Sequence, residues 1–174
     1  MKIFKRIFGI CETKPPANPD CWNHISGTLE IDLSKTPELR EKGAAIRLEG
    51  TALPIRLLVV HNGDDQYYAF ENRCTHYGRR LDPLPGQLLL QCCSVSKSTF
   101  DFSGSNIIGP GKGPIKSYPV ERNGELLSIN LNLYKTDQAT GPHSLELHAG
   151  WLMVPYILWV GYASTFNGAI WLMN

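Results

Sequence analysis

The chain has 174 residues, and its 17 Lys and Arg against 16 Asp and Glu give a net charge of +1. A nearly neutral chain without basic clusters is not expected to bind nucleic acid or another polyanion. Its five cysteines are an odd number, which argues against a secreted fold held together purely by disulfides. We therefore expect a cytoplasmic protein, because reducing compartments keep thiols free.

The N-terminal part of the chain is predicted to be an arm, a strand and a short helix. Residues 1–25 form an irregular arm, because the prolines at positions 15–19 exclude a helix or a central strand. Residues 29–33 alternate apolar and polar side chains, which is typical of a strand. A short helix is predicted near residues 36–43, where Gly43 would end it.

Short β-prone runs separated by turn signals fill the middle of the chain. The runs 55–60 and 66–70 are joined by an Asn-Gly-Asp-Asp turn, and Asn123-Gly124 joins the last two runs. Further strands are expected at 45–49, 88–92, 98–102, 117–121 and 126–131. Closely spaced strands of this kind predict an all-β fold, either an antiparallel β-sandwich or a small barrel.

Residues 136–174 are predicted to be a linker and an apolar C-terminal tail. No charged residue occurs from Ala149 to Asn174. Residues 151–172 are a candidate membrane contact, with aromatic residues that suit the membrane interface. The alternative is an appendage that packs on the domain or on a partner, since proline and glycine interrupt the roughly 20 apolar residues that a spanning helix needs.

A cysteine–histidine motif carries the chemistry of the chain. Cys74 and His76 are two residues apart, and Cys93 follows His76 after sixteen residues. Such a pair, closed by a second cysteine loop, is a typical arrangement of metal ligands. The second loop continues as Ser-Val-Ser-Lys-Ser-Thr-Phe-Asp, and a Gly/Pro-rich loop follows at 109–114. This pattern resembles the Rieske [2Fe–2S] domain, in which two cysteines hold one iron and two histidines hold the other.

The resemblance implies a fold, a site and a cofactor. It implies a Rieske-like domain over residues 26–135 with the part that binds a [2Fe–2S] cluster at one end, at about 72–116. The implied metal ligands are Cys74, His76, Cys93 and, in the position of the missing second histidine, Ser96. The implied neighbours of the cluster are Ser98, Lys97, Pro110 and Pro114.

Ser96 departs from the family pattern, and three interpretations remain open. The serine oxygen binds iron as an alkoxide, with Lys97 offsetting the added negative charge. Alternatively, another group completes the site: Cys92, His24, His61 or a hydroxide. In the third case the site holds no cluster, and Cys74 and Cys93 are a pair of thiols, or a disulfide if they are oxidised.

The function that the resemblance implies is electron transfer, in a small ferredoxin-like protein or an accessory subunit of an oxidoreductase. The expected partner is a redox protein, and a small-molecule substrate is not expected. The chain is too short for the iron-containing catalytic domain of a ring-hydroxylating oxygenase, so a carrier is expected more than an enzyme. The alternatives are a cluster-free interaction domain and a thiol redox sensor.

Overall fold

The computed structural model describes residues 2–134, and the predicted linker and tail at 136–174 lie outside the described residues. The elements in chain order are one helix, α1 (Lys2–Ile7), and twelve strands: β1 (Trp22–Ile25), β2 (Thr28–Asp32), β3 (Ala45–Leu48), β4 (Leu57–Gly63), β5 (Gln66–Glu71), β6 (Leu81–Pro83), β7 (Leu89–Cys92), β8 (Thr99–Asp101), β9 (Asn106–Ile108), β10 (Ser117–Tyr118), β11 (Val120–Asn123) and β12 (Leu126–Asn130). None of the described residues belongs to a helix long and apolar enough to cross a bilayer.

The strands form three antiparallel four-stranded sheets, which confirms the predicted all-β class. Their orders are β1-β2-β12-β11, β10-β5-β4-β3 and β6-β7-β8-β9. The middle sheet is buried on both faces along β4, where Leu57 and Val59 face one core and Leu58 and Val60 face the other. Successive side chains of a strand point to opposite faces, so this single apolar strand serves both cores.

The first core lies between the sheet that contains β2 and the middle sheet. Leu29 and Ile31 of β2 and Leu127 and Ile129 of β12 are fully buried in it. The polar residues of β2 alternate with these side chains and face away, as the sequence pattern predicts. This core forms the base of the domain and carries no candidate metal ligand.

The segment predicted as a short helix near 36–43 forms two 3₁₀ turns instead, Leu33–Lys35 and Pro37–Leu39. The Asp32 side chain accepts from the Ser34 amide and starts the first turn. Leu39 is fully buried, which anchors the second turn on the base core. The 3₁₀ geometry arises because the segment is too short to repay the nucleation of an α-helix.

The arm predicted as irregular at residues 1–25 contains α1 at its start and β1 at its end. Strand β1 pairs antiparallel with β2, so the arm supplies an edge strand to the base. Between them the arm runs over the surface of the domain, where the Lys14 carbonyl accepts from the Arg47 amide at 3.0 Å. The prolines leave this stretch without a strand of its own.

The third sheet is inserted between two neighbouring strands of the middle sheet. Strand β5 ends at Glu71, and β10 pairs with β5 through Ser117 opposite Phe70. The Glu71 amide donates to the Lys116 carbonyl at 2.8 Å, so both ends of the insertion meet. Its own core contains Leu81, Leu90 and Phe100. The insertion corresponds to the segment that the resemblance assigns to cluster binding.

Candidate metal centre

The first loop of the insertion holds Cys74 with its side chain facing inward. The Cys74 amide donates to the Arg79 carbonyl at 2.7 Å, and the Gly78 amide donates to the Cys74 carbonyl at 2.8 Å. Gly78 has a φ of +67°, which glycine adopts without steric cost. The closed turn leaves Cys74 only 1% exposed, so its thiol faces the core of the insertion.

The second loop connects β7 to β8 and turns tightly at Lys97. The Cys92 amide donates to the Ser98 carbonyl at 2.8 Å, and the Lys97 amide donates to the Ser94 carbonyl at 3.3 Å. Lys97 has a φ of +52° and an exposed side chain. The turn exposes Ser96 as well, so both residues lie at the solvent side of the predicted site.

Cys74 of the first loop and Cys92 at the end of β7 lie in the same buried cluster, with both residues 1% exposed. The proximity of Cys92, together with the amides of His76 and Tyr77, lowers the pKa of Cys74 to about 5 against the opposing effect of burial. The same proximity, followed by burial, raises the pKa of Cys92, because a second thiolate beside the first is unfavourable. The pair therefore carries one negative charge readily, and a bound cation is needed to stabilise two.

His76 and Ser96 face each other at the outer side of the thiol pair. His76 Nδ1 lies 3.3 Å from Ser96 Oγ, and Ser94 Oγ lies 2.8 Å from the same oxygen. The His76 ring also packs on Tyr77, with ring centroids 3.7 Å apart. An imidazole nitrogen from the first loop and a hydroxyl oxygen from the second loop therefore lie close together.

Ser98 places a hydroxyl in the interior beside Cys74. Its side chain is fully buried, and its proximity contributes to the lowered pKa of Cys74. Among the described residues, however, no partner meets full hydrogen-bonding geometry with Ser98 Oγ. A buried hydroxyl without a partner costs about 1–3 kcal/mol. The Ser98 hydroxyl could therefore donate a hydrogen bond to a group bound at the centre of the site.

The predicted ligand Cys93 is not beside Cys74. It forms a disulfide with Cys11 of the arm, with 5.5 Å between the Cα atoms. Cys93 follows Cys92 directly, and successive side chains of a strand point to opposite faces, so Cys93 faces the arm while Cys92 faces Cys74.

The Gly/Pro-rich loop, residues 109–114, is tied to the first loop through Thr75. Thr75 Oγ1 donates to the Gly113 carbonyl at 3.0 Å and accepts from the Lys112 amide at 3.0 Å. A Cβ added at Gly109 would lie 2.9 Å from the Cα of Ser98, so this loop packs closely on the second loop. Pro110 and Pro114 thus flank the two loops, with Pro110 exposed and Pro114 half-buried.

The alternative histidine ligands lie in the other two sheets, outside the insertion. His24 is in β1, where its Nδ1 lies 3.1 Å from the Ala52 carbonyl. His61 is in β4 and stacks on Tyr67 with ring centroids 4.5 Å apart. Neither residue belongs to the loops that carry Cys74 and Cys92, so the structure does not bring them into the candidate centre.

The Rieske [2Fe–2S] domain model matches residues 31–119, about half of the chain. The chain belongs to the Rieske [2Fe–2S] domain family. The predicted family is confirmed, and a [2Fe–2S] cluster is the cofactor of this family. The match includes both loops, the thiol pair and the Gly/Pro-rich loop, so it spans the whole candidate centre.

Solved structures of Rieske proteins resemble this chain at low sequence identity. The ferredoxin of carbazole 1,9a-dioxygenase from Nocardioides aromaticivorans IC177 is 22% identical over 53% of this chain and 88% of its own, with a TM-score of 0.45. The cyanobacterial plasma membrane Rieske protein PetC3 from Synechocystis PCC 6803 is 20% identical over 49% of this chain and 84% of its own, with a TM-score of 0.42. No curated protein matches the sequence significantly.

The donor set of the candidate centre fits an iron–sulfur cluster. Two adjacent buried thiols provide the thiolates that Fe–S clusters require, and His76 provides an imidazole. The unpartnered hydroxyl of Ser98 would find an acceptor in a cluster sulfide, and such hydrogen bonds tune the potential of Fe–S centres. The sequence offered Cys92 only as a replacement for the missing histidine, and it predicted neither the bond between Cys11 and Cys93 nor the contact of Ser94 with Ser96.

Proposed function

We propose that this chain transfers electrons through a [2Fe–2S] cluster held between the first and second loops. Membership of the Rieske family supports electron transfer at a general level. The observation that carries the proposal is the burial of Cys74 and Cys92 in one cluster, with His76 two residues from Cys74 and facing Ser96 of the other loop. When bound, the cluster would accept and release one electron, with thiolates on one iron and His76 on the other.

Ser96 takes the position of the fourth ligand in this proposal. Its oxygen lies 3.3 Å from His76 Nδ1, so the two groups converge from different loops. An oxygen ligand in place of a neutral imidazole adds negative charge when it is deprotonated, and negative charge at the cluster lowers the reduction potential. Lys97 is the adjacent residue and adds a positive charge at the rim of the site.

The proposed partner is a redox protein that docks at the exposed end of the insertion. Tyr77 and Val95, one from each loop, are 76% and 57% exposed. Both are apolar side chains next to proposed cluster ligands, and apolar contacts at the centre of an interface exclude water. The side chains of Arg73 and Lys97 are exposed in the same two loops, which favours a partner with an acidic surface.

The test is iron and acid-labile sulfide analysis of the full-length protein, with electron paramagnetic resonance of the dithionite-reduced form. We expect about two irons and two sulfides per chain, as a [2Fe–2S] cluster requires. His76→Ala should change the resonance and lower the iron content. The matched variant Ser96→His supplies a second imidazole and should raise the reduction potential. A protein that takes up neither iron nor sulfide after reconstitution would overturn the proposal.

A thiol redox sensor is a second candidate function, and the same pair of thiols favours it. Cys74 and Cys92 are adjacent and Cys74 has a lowered pKa, so a mild oxidant such as glutathione disulfide would convert them to a disulfide by thiol exchange. This candidate predicts a reversible change in free thiols without bound iron. A cluster-free interaction domain predicts instead that Cys74→Ala changes neither iron content nor redox behaviour.

A further inference from the structure

The phase of β7 places its last residue, Cys92, and the residue that follows it, Cys93, on opposite faces. Leu90 and Cys92 are buried in the core of the insertion. Gln91 lies on the other face, where its Oε1 accepts from Arg6 Nη2 at 2.7 Å. Because side chains alternate along a strand, Cys93 shares the face of Gln91 and points toward the arm.

Cys92 lies in the environment that suits a thiolate ligand. It belongs to the same buried cluster as Cys74, and both side chains are 1% exposed. The hydroxyl and the amide of Ser94 lie near the Cys92 sulfur, as the amides of His76 and Tyr77 lie near the Cys74 sulfur. Amide and hydroxyl donors around sulfur are the hydrogen bonds that stabilise Fe–S ligands.

Cys93 lies in a different environment, which is already complete without a metal. Its sulfur is bonded to Cys11. The Asp82 carboxylate lies beside this bond, with Oδ2 3.3 Å from the Cys93 sulfur. The two oxygens of that carboxylate accept from the Glu12 and Thr13 amides at 2.7 and 3.0 Å. This group of contacts fastens the arm to the insertion.

We propose that Cys92 at the end of β7, and not Cys93, is the second thiolate ligand, while Cys93 forms the covalent attachment of the N-terminal arm. This inference rests on the proposed function, since it assigns a ligand of the same cluster. It shifts the spacing between the second thiolate and Ser96 from three residues to four. It also divides four of the five cysteines by role: Cys74 and Cys92 would hold iron, and Cys11 and Cys93 hold the arm.

The two assignments can be distinguished in the wild-type protein by whether the cluster and the Cys11–Cys93 disulfide occur in the same molecule. If Cys92 is the ligand, one molecule contains both the cluster and the Cys11–Cys93 disulfide. If Cys93 is the ligand, cluster and disulfide exclude each other. High-resolution native mass spectrometry of the full-length holoprotein resolves the two hydrogens that a disulfide removes. We expect the cluster-bound species to carry one disulfide, and peptide mapping to place it between Cys11 and Cys93. A cluster-bound species with every cysteine reduced would overturn the assignment.

Two cysteine variants provide the independent test. The double variant Cys11→Ser/Cys93→Ser should keep the iron and sulfide content of the wild type, whereas Cys92→Ser should lose at least nine-tenths of both. The opposite pattern would overturn the assignment and leave the proposed function intact, because the wild type would still bind a cluster. If the wild type itself bound no iron, the proposed function would fail instead.

The loss of iron in Cys92→Ser must be separated from a loss of fold. Circular dichroism of the iron-free variant and the iron-free wild type is compared for this purpose, with Cys92→Ala as the second variant. The assignment requires that at least one of the two variants keeps the β spectrum and binds no cluster. A folded Cys92→Ala protein with full iron content would refute it.

Discussion

The Cys11–Cys93 disulfide closes a long loop, so its removal should cost considerable stability. The two cysteines are separated by 82 residues. For a loop of this length the chain-entropy model gives a stabilisation of about 4.5 kcal/mol at 25 °C. We therefore expect Cys11→Ser to lower the free energy of unfolding by about 3–4.5 kcal/mol. With a urea slope of about 2 kcal/mol/M, the unfolding midpoint should fall by about 2 M.

The assay is urea unfolding of the iron-free protein, followed by tryptophan fluorescence without reductant. Cys93→Ser should lose the same stability, and the double variant should lose no more than either single variant, because all three remove one bond. Reduction with dithiothreitol should bring the wild type to the level of the variants. If Cys11→Ser unfolds within about 1 kcal/mol of the wild type, the bond does not constrain the unfolded chain as the model assumes.

Three further predictions concern the packing around the site. Glu49 accepts from Arg80 at 2.6 and 2.7 Å, and this contact lowers the pKa of Glu49; urea unfolding of Glu49→Gln should show a loss of about 1 kcal/mol at pH 7. A carboxyl group whose pKa is lowered in the folded protein stabilises the fold at pH values above its ordinary pKa. The stability difference between Glu49→Gln and the wild type should therefore shrink as the pH falls below about 4. A difference that grows would contradict this role of the Glu49–Arg80 contact. Phe100 is fully buried, and Phe100→Ala should destabilise by about 3–5 kcal/mol in the same assay; a loss below about 1 kcal/mol would show that the core refills. Gly104→Ala combines a φ of +98° with a carbonyl oxygen 2.5 Å from the new Cβ and should lower the thermal midpoint more than Gly86→Ala, which has a φ of +71° and open space; equal shifts would exclude the clash.

Most of the strands were predictable because their signals are local, whereas β1, β6 and β9 were not predicted. Alternation along β2 and the turn between β4 and β5 fixed the elements within a few residues of their observed ends. The Cys-x-His motif likewise led to the family, because the spacing of its residues survives the loss of the second histidine at Ser96. Short helices were harder to predict from the sequence, because the 3₁₀ turn Pro37–Leu39 depends on the burial of Leu39 in the base core.

The pairing of the cysteines was not predictable from motif spacing, because it depends on contacts between distant segments. The spacing favoured Cys93, whereas the structure places Cys92 beside Cys74. One local signal did exist: Gln91 is polar and shares its face with Cys93, which indicates the outward side of the strand. The partner of Cys93 is Cys11 in the arm, and no local sequence pattern connects these two residues, which are separated by 82 positions.

The insertion between β5 and β10 starts and ends at neighbouring positions of the middle sheet. Its two ends are hydrogen-bonded to each other, so a change of length or of residue in its loops need not disturb the register of the middle sheet. Leu58, Val60 and Phe70 of the middle sheet are buried in the core of the insertion. Shielding this apolar surface is therefore a second task of the insertion, apart from any chemistry at its loops.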